Sequence, residues 1–220
     1  MKALVFDAYG TLFDVLSVTS LCDVLFPGSG TALAVMWRTK QLQYSLLRSM
    51  MERYADFWRV TEDALVYSTK ALQLDLTPEK RERLMEAYRT LQAFSDVKPG
   101  LQQLTANGIR LAILSNGAPE MLRSAAASAG IADVLDEIIS VDEIRVYKPH
   151  PRVYQLASSR LRVPIEDVGF VSSNGWDIAG AASAGLTTFW IQRTAAEPPE
   201  ELGQRAARVI HTITDLPTHI

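Results

Sequence analysis

Cysteine and histidine are scarce in this sequence of 220 residues, which holds one cysteine and three histidines. A single cysteine, Cys22, excludes a disulfide within the chain and any metal motif built on paired cysteines. The histidines, His150, His211 and His219, are not spaced as metal ligands. We therefore expect a reducing, cytoplasmic setting, with no metal site and no cofactor.

Excess charge and long hydrophobic runs are also missing. The net charge is −3, which provides no strongly basic surface for nucleic acid or for an anionic membrane. No apolar stretch approaches the length of about 20 residues that crosses a bilayer. No basic leader with an apolar core precedes the first predicted strand. These absences predict no nucleic-acid partner, no membrane association and no secretion signal.

A strong structural signal stands at the start of the chain, in MKALVFDAYGTLFD. The apolar run Ala3–Phe6 suits a strand that is buried on both faces of a parallel sheet. This run ends on Asp7, and Gly10 follows at a turn. In open α/β sheets, ligands bind at the carboxyl ends of the strands, so Asp7 is a candidate functional residue. Taken alone, Asp7 could also be a turn residue or a helix cap.

The next stretch, residues 15–92, contains no convincing strand and reads as a helical insertion. From residue 93 onward strands and helices alternate, which is typical of a parallel sheet covered by helices. We predict a core of residues 1–14 and 93–220, with the insertion placed to cover the carboxyl edge of the sheet. Helices are predicted at 16–25, 29–51, 61–72, 77–91, 101–106, 119–129, 151–161 and 177–184, with a turn or short helix at 53–58. Strands are predicted at 3–6, 111–114, 137–141, 168–171, 187–191 and 208–210.

Several polar residues fall at the ends of these predicted elements. Asp7, Ser115, Ser172 and Asn174 follow strands, whereas Lys148 and Asp177 lie near the starts of helices. A parallel sheet collects such positions at one edge. The pattern is a much stronger indication of a site than any one carboxylate.

Four short segments carry a family resemblance. DAYGT at 7–11, LSNG at 114–117, YKP at 147–149 and SSNGWD at 172–177 resemble the motifs of the haloacid dehalogenase superfamily. The likeness is strongest to the hydrolytic L-2-haloacid dehalogenases, and it includes the cap stretch at 37–58. The resemblance covers essentially the whole chain. It implies an α/β fold with a Rossmann-like parallel sheet core, an inserted all-helical cap domain at 15–92, and Asp7 as nucleophile.

Two positions separate this sequence from the phosphatases of the same superfamily. Those enzymes carry an Asp where Tyr9 stands and another where Ser173 stands. A phenol, with a pKa of about 10, is a poor substitute for a carboxylic acid, and a lost carboxylate depletes a Mg²⁺ site. Halide leaves as a stable anion and needs no proton. A Mg²⁺-dependent phosphatase is the alternative, and a binding protein that only retains the fold is a third possibility.

The resemblance implies that Asp7 displaces halide from C2 of an L-2-haloalkanoate with inversion, and that water then hydrolyses the aspartyl ester. Lys148 would balance the charges of Asp7 and the substrate carboxylate. That carboxylate would be bound by Ser115, Asn116 and the backbone N–H groups of Ala8 and Tyr9. The residues expected to orient or deprotonate the water are Asp177, Thr11, Ser172 and Asn174. The resemblance also gives Tyr154 a supporting role in catalysis, whereas the sequence alone indicates an ordinary helix tyrosine.

Arg38 is the informative residue of the insertion. Val35, Arg38, Leu42 and Leu46 share one helical face by their spacing. A guanidinium in an apolar stripe is costly unless it meets an anion, although an arginine at the stripe's margin can snorkel to water. The resemblance makes Arg38 the halide acceptor, with Leu42, Phe57 and Trp176 lining an apolar pocket.

The inserted helices are also expected to expose apolar side chains. These positions are Trp37, Tyr44, Leu47, Met50 and Met51. The resemblance implies a homodimer that packs through such helices, and a small 2-haloalkanoate and its halide as the other partners.

Overall fold

A computed structural model describes residues 1–194, 198, 200 and 202–220. The described residues form a six-stranded parallel sheet with the strand order β3-β2-β1-β4-β5-β6. The order reverses direction between β1 and β4, which is where doubly wound α/β sheets bind their ligands. The strands are β1 Ala3–Phe6, β2 Arg110–Ser115, β3 Glu137–Ser140, β4 Val168–Ser172, β5 Thr187–Ile191 and β6 Arg208–Ile210. The predicted Rossmann-like parallel sheet is confirmed.

The central strand β1 is buried along its whole length. Its last residue, Phe6, pairs with Ile113 of β2 and with Val171 of β4. The next backbone N–H group, that of Asp7, donates to the Val171 carbonyl at 2.9 Å. The ladder therefore fixes the backbone of Asp7 at the point where the strand order reverses.

A short 3-10 helix, Val15–Val18, and four α-helices lie between β1 and the next core helix. The α-helices are α1 Thr19–Leu25, α2 Gly30–Met50, α3 Phe57–Ala71 and α4 Pro78–Ala87. The core helices are α5 Val97–Ala106, α6 Pro119–Ser128, α7 Pro151–Leu161 and α8 Gly175–Ser183. None of the described helices is long and apolar enough to cross a membrane.

Helices α3 and α8 begin earlier in the chain than predicted. Helix α3 begins at Phe57 rather than at Thr61, since the Asp56 carboxylate accepts the Arg59 N–H at 2.8 Å and caps the first turn. Helix α8 begins two residues before Asp177, directly after Asn174. The early start places Asp177 in the first turn of the helix, with its side chain buried.

The prediction that Trp37 is exposed is wrong. Its side chain is fully buried, packs against the tilted ring of Tyr88 with ring centroids 4.6 Å apart, and donates to the Thr61 carbonyl at 2.8 Å. Burial suits tryptophan when its N–H group finds an acceptor, as it does here. Leu47, Met50 and Met51, by contrast, are exposed at the end of α2.

The inserted helices contact the carboxyl edge of the sheet on two sides. On one side the ring of Phe57 lies 5.6 Å from the ring of Tyr9, which follows β1. On the other side Tyr147 donates from its hydroxyl to the Ala55 carbonyl at 2.6 Å and from its N–H to Ser49 Oγ at 2.9 Å. The division into a core of 1–14 and 93–220 and a cap domain of 15–92 stays a prediction.

Candidate active site

The carboxylate of Asp7 lies at the carboxyl end of β1 and is 6 % exposed. Its Oδ1 accepts a hydrogen bond from Lys148 Nζ at 3.1 Å. Its Oδ2 accepts from Thr11 Oγ1 at 3.1 Å and from Asn174 Nδ2 at 2.9 Å. Three donors, one of them positively charged, therefore hold this carboxylate in one orientation.

Lys148 bridges two carboxylates. Its Nζ also donates to Asp177 Oδ2 at 2.9 Å, and the side chains of both residues are fully buried. The ring of Phe170 lies 4.8 Å from the same nitrogen and adds a cation–π contact. Burial lowers the pKa of Lys148, but Asp177 and Asp7 outweigh burial, so the pKa is raised and the ammonium stays charged.

Asp177 is a weaker acid than an ordinary aspartate. Burial raises its pKa to about 6, against a lowering by Lys148 and a further raising by Asp7. Its Oδ1 accepts the Tyr154 hydroxyl at 2.7 Å. Burial and the charge of Asp177 raise the pKa of Tyr154 far above its ordinary value, so this phenol is a neutral donor.

The predicted serines and Asn116 shape the turns that follow the strands. Ser115 Oγ accepts the Gly117 N–H at 3.1 Å, and Ser172 Oγ accepts the Asn174 N–H at 3.1 Å. Asn116 Oδ1 accepts the Lys148 N–H at 3.0 Å. The first two bonds each lie within a single turn, and the third joins the turn after β2 to the loop that carries Lys148.

Arg38 reaches the site from α2. Its Nη1 donates to Gln41 Oε1 at 2.8 Å, and its Nη2 donates to the Tyr9 carbonyl at 3.0 Å. Burial lowers the pKa of this guanidinium, although Tyr88 and Asp7 oppose that effect. Even so, an arginine stays charged at neutral pH. Arg38 therefore brings a positive charge from the insertion to the loop that follows β1.

The apolar stripe predicted around Arg38 is not the buried face of α2. Val35 is 51 % exposed and Leu46 is 45 % exposed. The fully or nearly fully buried residues of this helix are Gly30, Leu33, Ala34, Trp37, Gln41 and Ser45. Arg38 lies at the margin of that face, and its head group turns inward to Tyr9 rather than outward to water.

A small cavity of about 10 Å³ lies among these groups. It is lined by Asp7, Tyr9, Arg38, Leu42, Phe57, Ser115, Asn116, Asn174 and Trp176, all of which belong to the predicted set. The N–H groups of Ala8 and Tyr9, which follow Asp7 in the chain, have no backbone acceptor within the described part of the chain. The cavity itself combines a fixed carboxylate, a guanidinium and an apolar wall.

Sequence reasoning missed three supporting residues. Gln41 is fully buried beside Arg38. The sequence feature that could have revealed it is a polar side chain one helical turn from Arg38. Phe170 reads as ordinary core in its strand, and nothing in the pattern reveals its contact with Lys148. Gly180 is also required, because a Cβ there would collide with the Tyr154 hydroxyl.

A buried aspartate thus lies under an inserted helical segment, at the switch point where doubly wound sheets bind their ligands. A family model for haloacid dehalogenase-like hydrolases matches residues 1–185. The chain belongs to the haloacid dehalogenase-like hydrolase family.

Individual relatives are similar over nearly the whole chain. An (S)-2-haloacid dehalogenase of Pseudomonas sp. strain YL is 47 % identical, over 93 % of this chain and 88 % of the relative. A second, (S)-2-haloacid dehalogenase 2 of Pseudomonas sp. strain CBS-3, is 42 % identical over 99 % of this chain and 94 % of the relative. A solved L-2-haloacid dehalogenase of Xanthobacter autotrophicus, with chloropropionic acid covalently bound, has a TM-score of 0.94. It is 39 % identical, over 99 % of this chain and 97 % of that one.

Proposed function

We propose that this protein hydrolyses L-2-haloalkanoic acids to D-2-hydroxy acids with inversion at C2, as an (S)-2-haloacid dehalogenase. The observation that carries this proposal is the carboxylate of Asp7, which is held by Lys148, Thr11 and Asn174 beside a cavity that Arg38 also lines. The relatives that share this fold along nearly their whole length bear the same activity in their names.

In the first step an oxygen of Asp7 bonds to C2 of the substrate, and the carbon–halogen bond breaks with its electron pair on the halide. No proton is required. Lys148 offsets the repulsion between Asp7 and the substrate carboxylate, which is strong in a cleft of low dielectric constant. Ser115, Asn116 and the N–H groups of Ala8 and Tyr9 hold the substrate carboxylate.

Arg38 receives the departing halide, and Leu42, Phe57 and Trp176 enclose the alkyl group. These residues line the same cavity as Asp7. A guanidinium close to a leaving anion stabilises charge that develops only in the transition state, which is how electrostatic catalysis lowers a barrier.

In the second step water attacks the side-chain carbonyl carbon of the Asp7 ester and releases the hydroxy acid. Asp177, with a pKa raised to about 6 by burial, is largely ionised at neutral pH and accepts the proton of the water. Thr11, Ser172 and Asn174 orient the water, and Tyr154 holds Asp177. The covalently bound acid in the Xanthobacter structure supports the ester intermediate.

A Mg²⁺-dependent phosphatase is the alternative that the residues do not favour. Tyr9 is buried among aromatic rings, and burial raises the pKa of its hydroxyl far above the ordinary value. Ser173 donates from its Oγ to the Gly10 carbonyl at 2.9 Å. Neither position supplies the carboxylate that phosphatases of the family use there.

A single turnover of L-2-chloropropionate in ¹⁸O water tests the proposal, with enzyme in excess over substrate. We expect ¹⁸O in the Asp7 side chain by peptide mass analysis, and lactate that carries no label. Label in the lactate and none in Asp7 would mean direct attack by water. Mg²⁺-dependent release of phosphate from p-nitrophenyl phosphate, abolished by EDTA, would favour the phosphatase alternative. Asp7→Asn should release no chloride.

We also propose a homodimer that packs through the exposed apolar end of α2. Leu47, Met50 and Met51 are 41 %, 73 % and 59 % exposed there. Light scattering should give twice the mass of the chain for the wild type and the monomer mass for Met50→Lys with Met51→Lys. A cytoplasmic location stays a prediction from the single cysteine.

A further inference from the structure

Gln41 is a fully buried amide that stands between Arg38 and the adjacent helix α3. Its Oε1 accepts Arg38 Nη1 at 2.8 Å, and its Nε2 donates to Thr61 Oγ1 at 2.6 Å. The Thr61 hydroxyl in turn donates to the Phe57 carbonyl at 2.6 Å. A continuous chain of hydrogen bonds therefore runs from α3 to the guanidinium.

We propose that Gln41 is a positioning residue, whose amide fixes the guanidinium of Arg38 so that its unused N–H groups face the leaving halide. The inference rests on the proposed role of Arg38. It identifies the residue that positions Arg38. It also predicts that a substitution at Gln41 lowers the reaction rate by an amount that depends on the halogen of the substrate.

The donor count of Arg38 supports this assignment. A guanidinium has five N–H donors, of which one is used by Gln41 and one by the Tyr9 carbonyl. The other three have no acceptor among the residues that the structure describes. Because the two bonds engage different nitrogens of a planar group, they fix both its plane and its rotation within that plane.

The uncharged state of Gln41 also matters. An amide oxygen accepts the hydrogen bond and leaves the positive charge of Arg38 uncancelled. A carboxylate at the same place would form a buried ion pair with the guanidinium and reduce its attraction for any other anion. A buried amide is thus a support that orients Arg38 without competing with the halide.

The first test replaces Gln41 by methionine, which conserves side-chain volume and removes both hydrogen bonds. We expect kcat for L-2-chloropropionate to fall about tenfold, the effect of one hydrogen bond to a charged group. The fall for L-2-bromopropionate should be smaller, because bromide is the better leaving group and depends less on Arg38. Inhibition by added chloride should weaken in parallel.

The second test is Gln41→Glu, which keeps the shape and the acceptor for Arg38. Its second oxygen can only accept, so the Thr61 hydroxyl must turn from the Phe57 carbonyl to donate to it. If Gln41 only stabilised the fold, the folded variant would keep kcat and chloride inhibition, whereas our inference predicts that both are lost even in fully folded protein. The two variants therefore separate orientation from packing, and Gln41→Glu decides the matter if Gln41→Met does not fold.

Ser45→Ala is the matched control. Ser45 lies one turn further along the same buried face of α2, and its Oγ donates to the Leu42 carbonyl at 2.8 Å. We expect this variant to keep the chloride-to-bromide ratio of the wild type. A Gln41→Met variant with a lowered Tm and a wild-type ratio would overturn the inference. A wild type that releases no halide would instead overturn the proposed function.

Discussion

Two cationic side chains flank the Asp7 carboxylate, and they differ in how completely the protein engages them. Lys148 comes from the core, is fully buried, and donates to Asp7 and Asp177 while it contacts the ring of Phe170. Arg38 comes from the insertion, is partly exposed, and uses two hydrogen bonds to protein acceptors. Lys148 therefore makes its contacts within the fold, whereas Arg38 retains N–H donors for a ligand.

The difference follows from the cost of burial. An ammonium removed from water is tolerated only when opposite charges and hydrogen bonds compensate for the lost solvation. A guanidinium at the edge of a cavity can leave some N–H groups to water until an anion replaces the water. The comparison therefore predicts that substitutions at Lys148 affect stability and activity together, whereas substitutions at Arg38 affect mainly activity.

Lys148→Met should have the largest effect. It leaves Asp7 and Asp177 buried close to each other without their shared cation, and loss of one partner of a buried pair costs about 3–5 kcal/mol. Chloride release should fall by about 10³-fold or more. Denaturant unfolding and a chloride assay measure the two effects.

Lys70→Met is the control for this substitution, because Lys70 is exposed on α3. It should change neither quantity measurably. A Lys148→Met protein with wild-type stability would mean that the two carboxylates do not need the ammonium to remain buried, and the comparison would lose its basis.

Arg38→Ala should lower halide release by about 10²-fold and cost only about 1–2 kcal/mol of stability. The cost in stability arises because Gln41 Oε1 and the Tyr9 carbonyl each lose a donor. The variant should also lose inhibition by chloride. An equal loss of stability at Arg38 and at Lys148 would erase the proposed distinction between the two cations.

The site residues that belong to the core were easier to predict from the sequence than those that belong to the insertion. The uninterrupted apolar run of β1 can only be a buried strand or a short buried helix segment, and the residue that follows it must lie at an edge of the sheet. Asp7, Ser115, Ser172 and Asn174 were found in this way, and Lys148 and Asp177 by their places near helix starts.

The orientation of α2 was harder, because apolar side chains occur on more than one of its faces. Val35, Leu42 and Leu46 form a plausible stripe, yet the buried face includes Trp37, Gln41 and Ser45. Local spacing cannot tell that Gln41 will find Arg38 and Thr61 as partners, since Thr61 lies on another helix. The partners that make a polar residue suitable for the core belong to the tertiary structure.

Tyr154→Phe should shift the pH dependence of the reaction. Because the Tyr154 hydrogen bond lowers the pKa of Asp177, its loss raises that pKa. The wild-type rate should fall as pH drops below about 6, where Asp177 takes up a proton, and the variant should begin to lose activity at a higher pH. A pH–rate profile of chloride release measures both, and coincident acidic limbs would contradict the assignment of Asp177 as the proton acceptor.

Protonation of Asp177, which should lower activity, should instead raise the stability of the folded protein. Its pKa rises from 3.8 in the unfolded chain to about 6 in the folded one, through burial first. The folded state therefore binds more protons between these values, so the contribution of Asp177 to stability is complete below pH 3.8 and is lost as pH rises through about 6. Asp177→Asn, unfolded at several pH values, should lack this component of the wild-type curve.

Tyr9→Phe is expected to have the smallest effect, and its sign is informative. The Tyr9 hydroxyl is buried and has no hydrogen-bond partner within the described residues, while its ring packs 5.6 Å from Phe57 and 6.4 Å from Tyr88. Removal of an unpaired buried hydroxyl relieves a desolvation cost, so stability should rise by up to about 1 kcal/mol. Tyr154→Phe should lower stability, because that hydroxyl is paired with Asp177. Thermal unfolding of the two variants compares a tyrosine hydroxyl that has a hydrogen-bond partner with one that has none. A loss of stability in both variants would show that the Tyr9 hydroxyl also has a partner in solution.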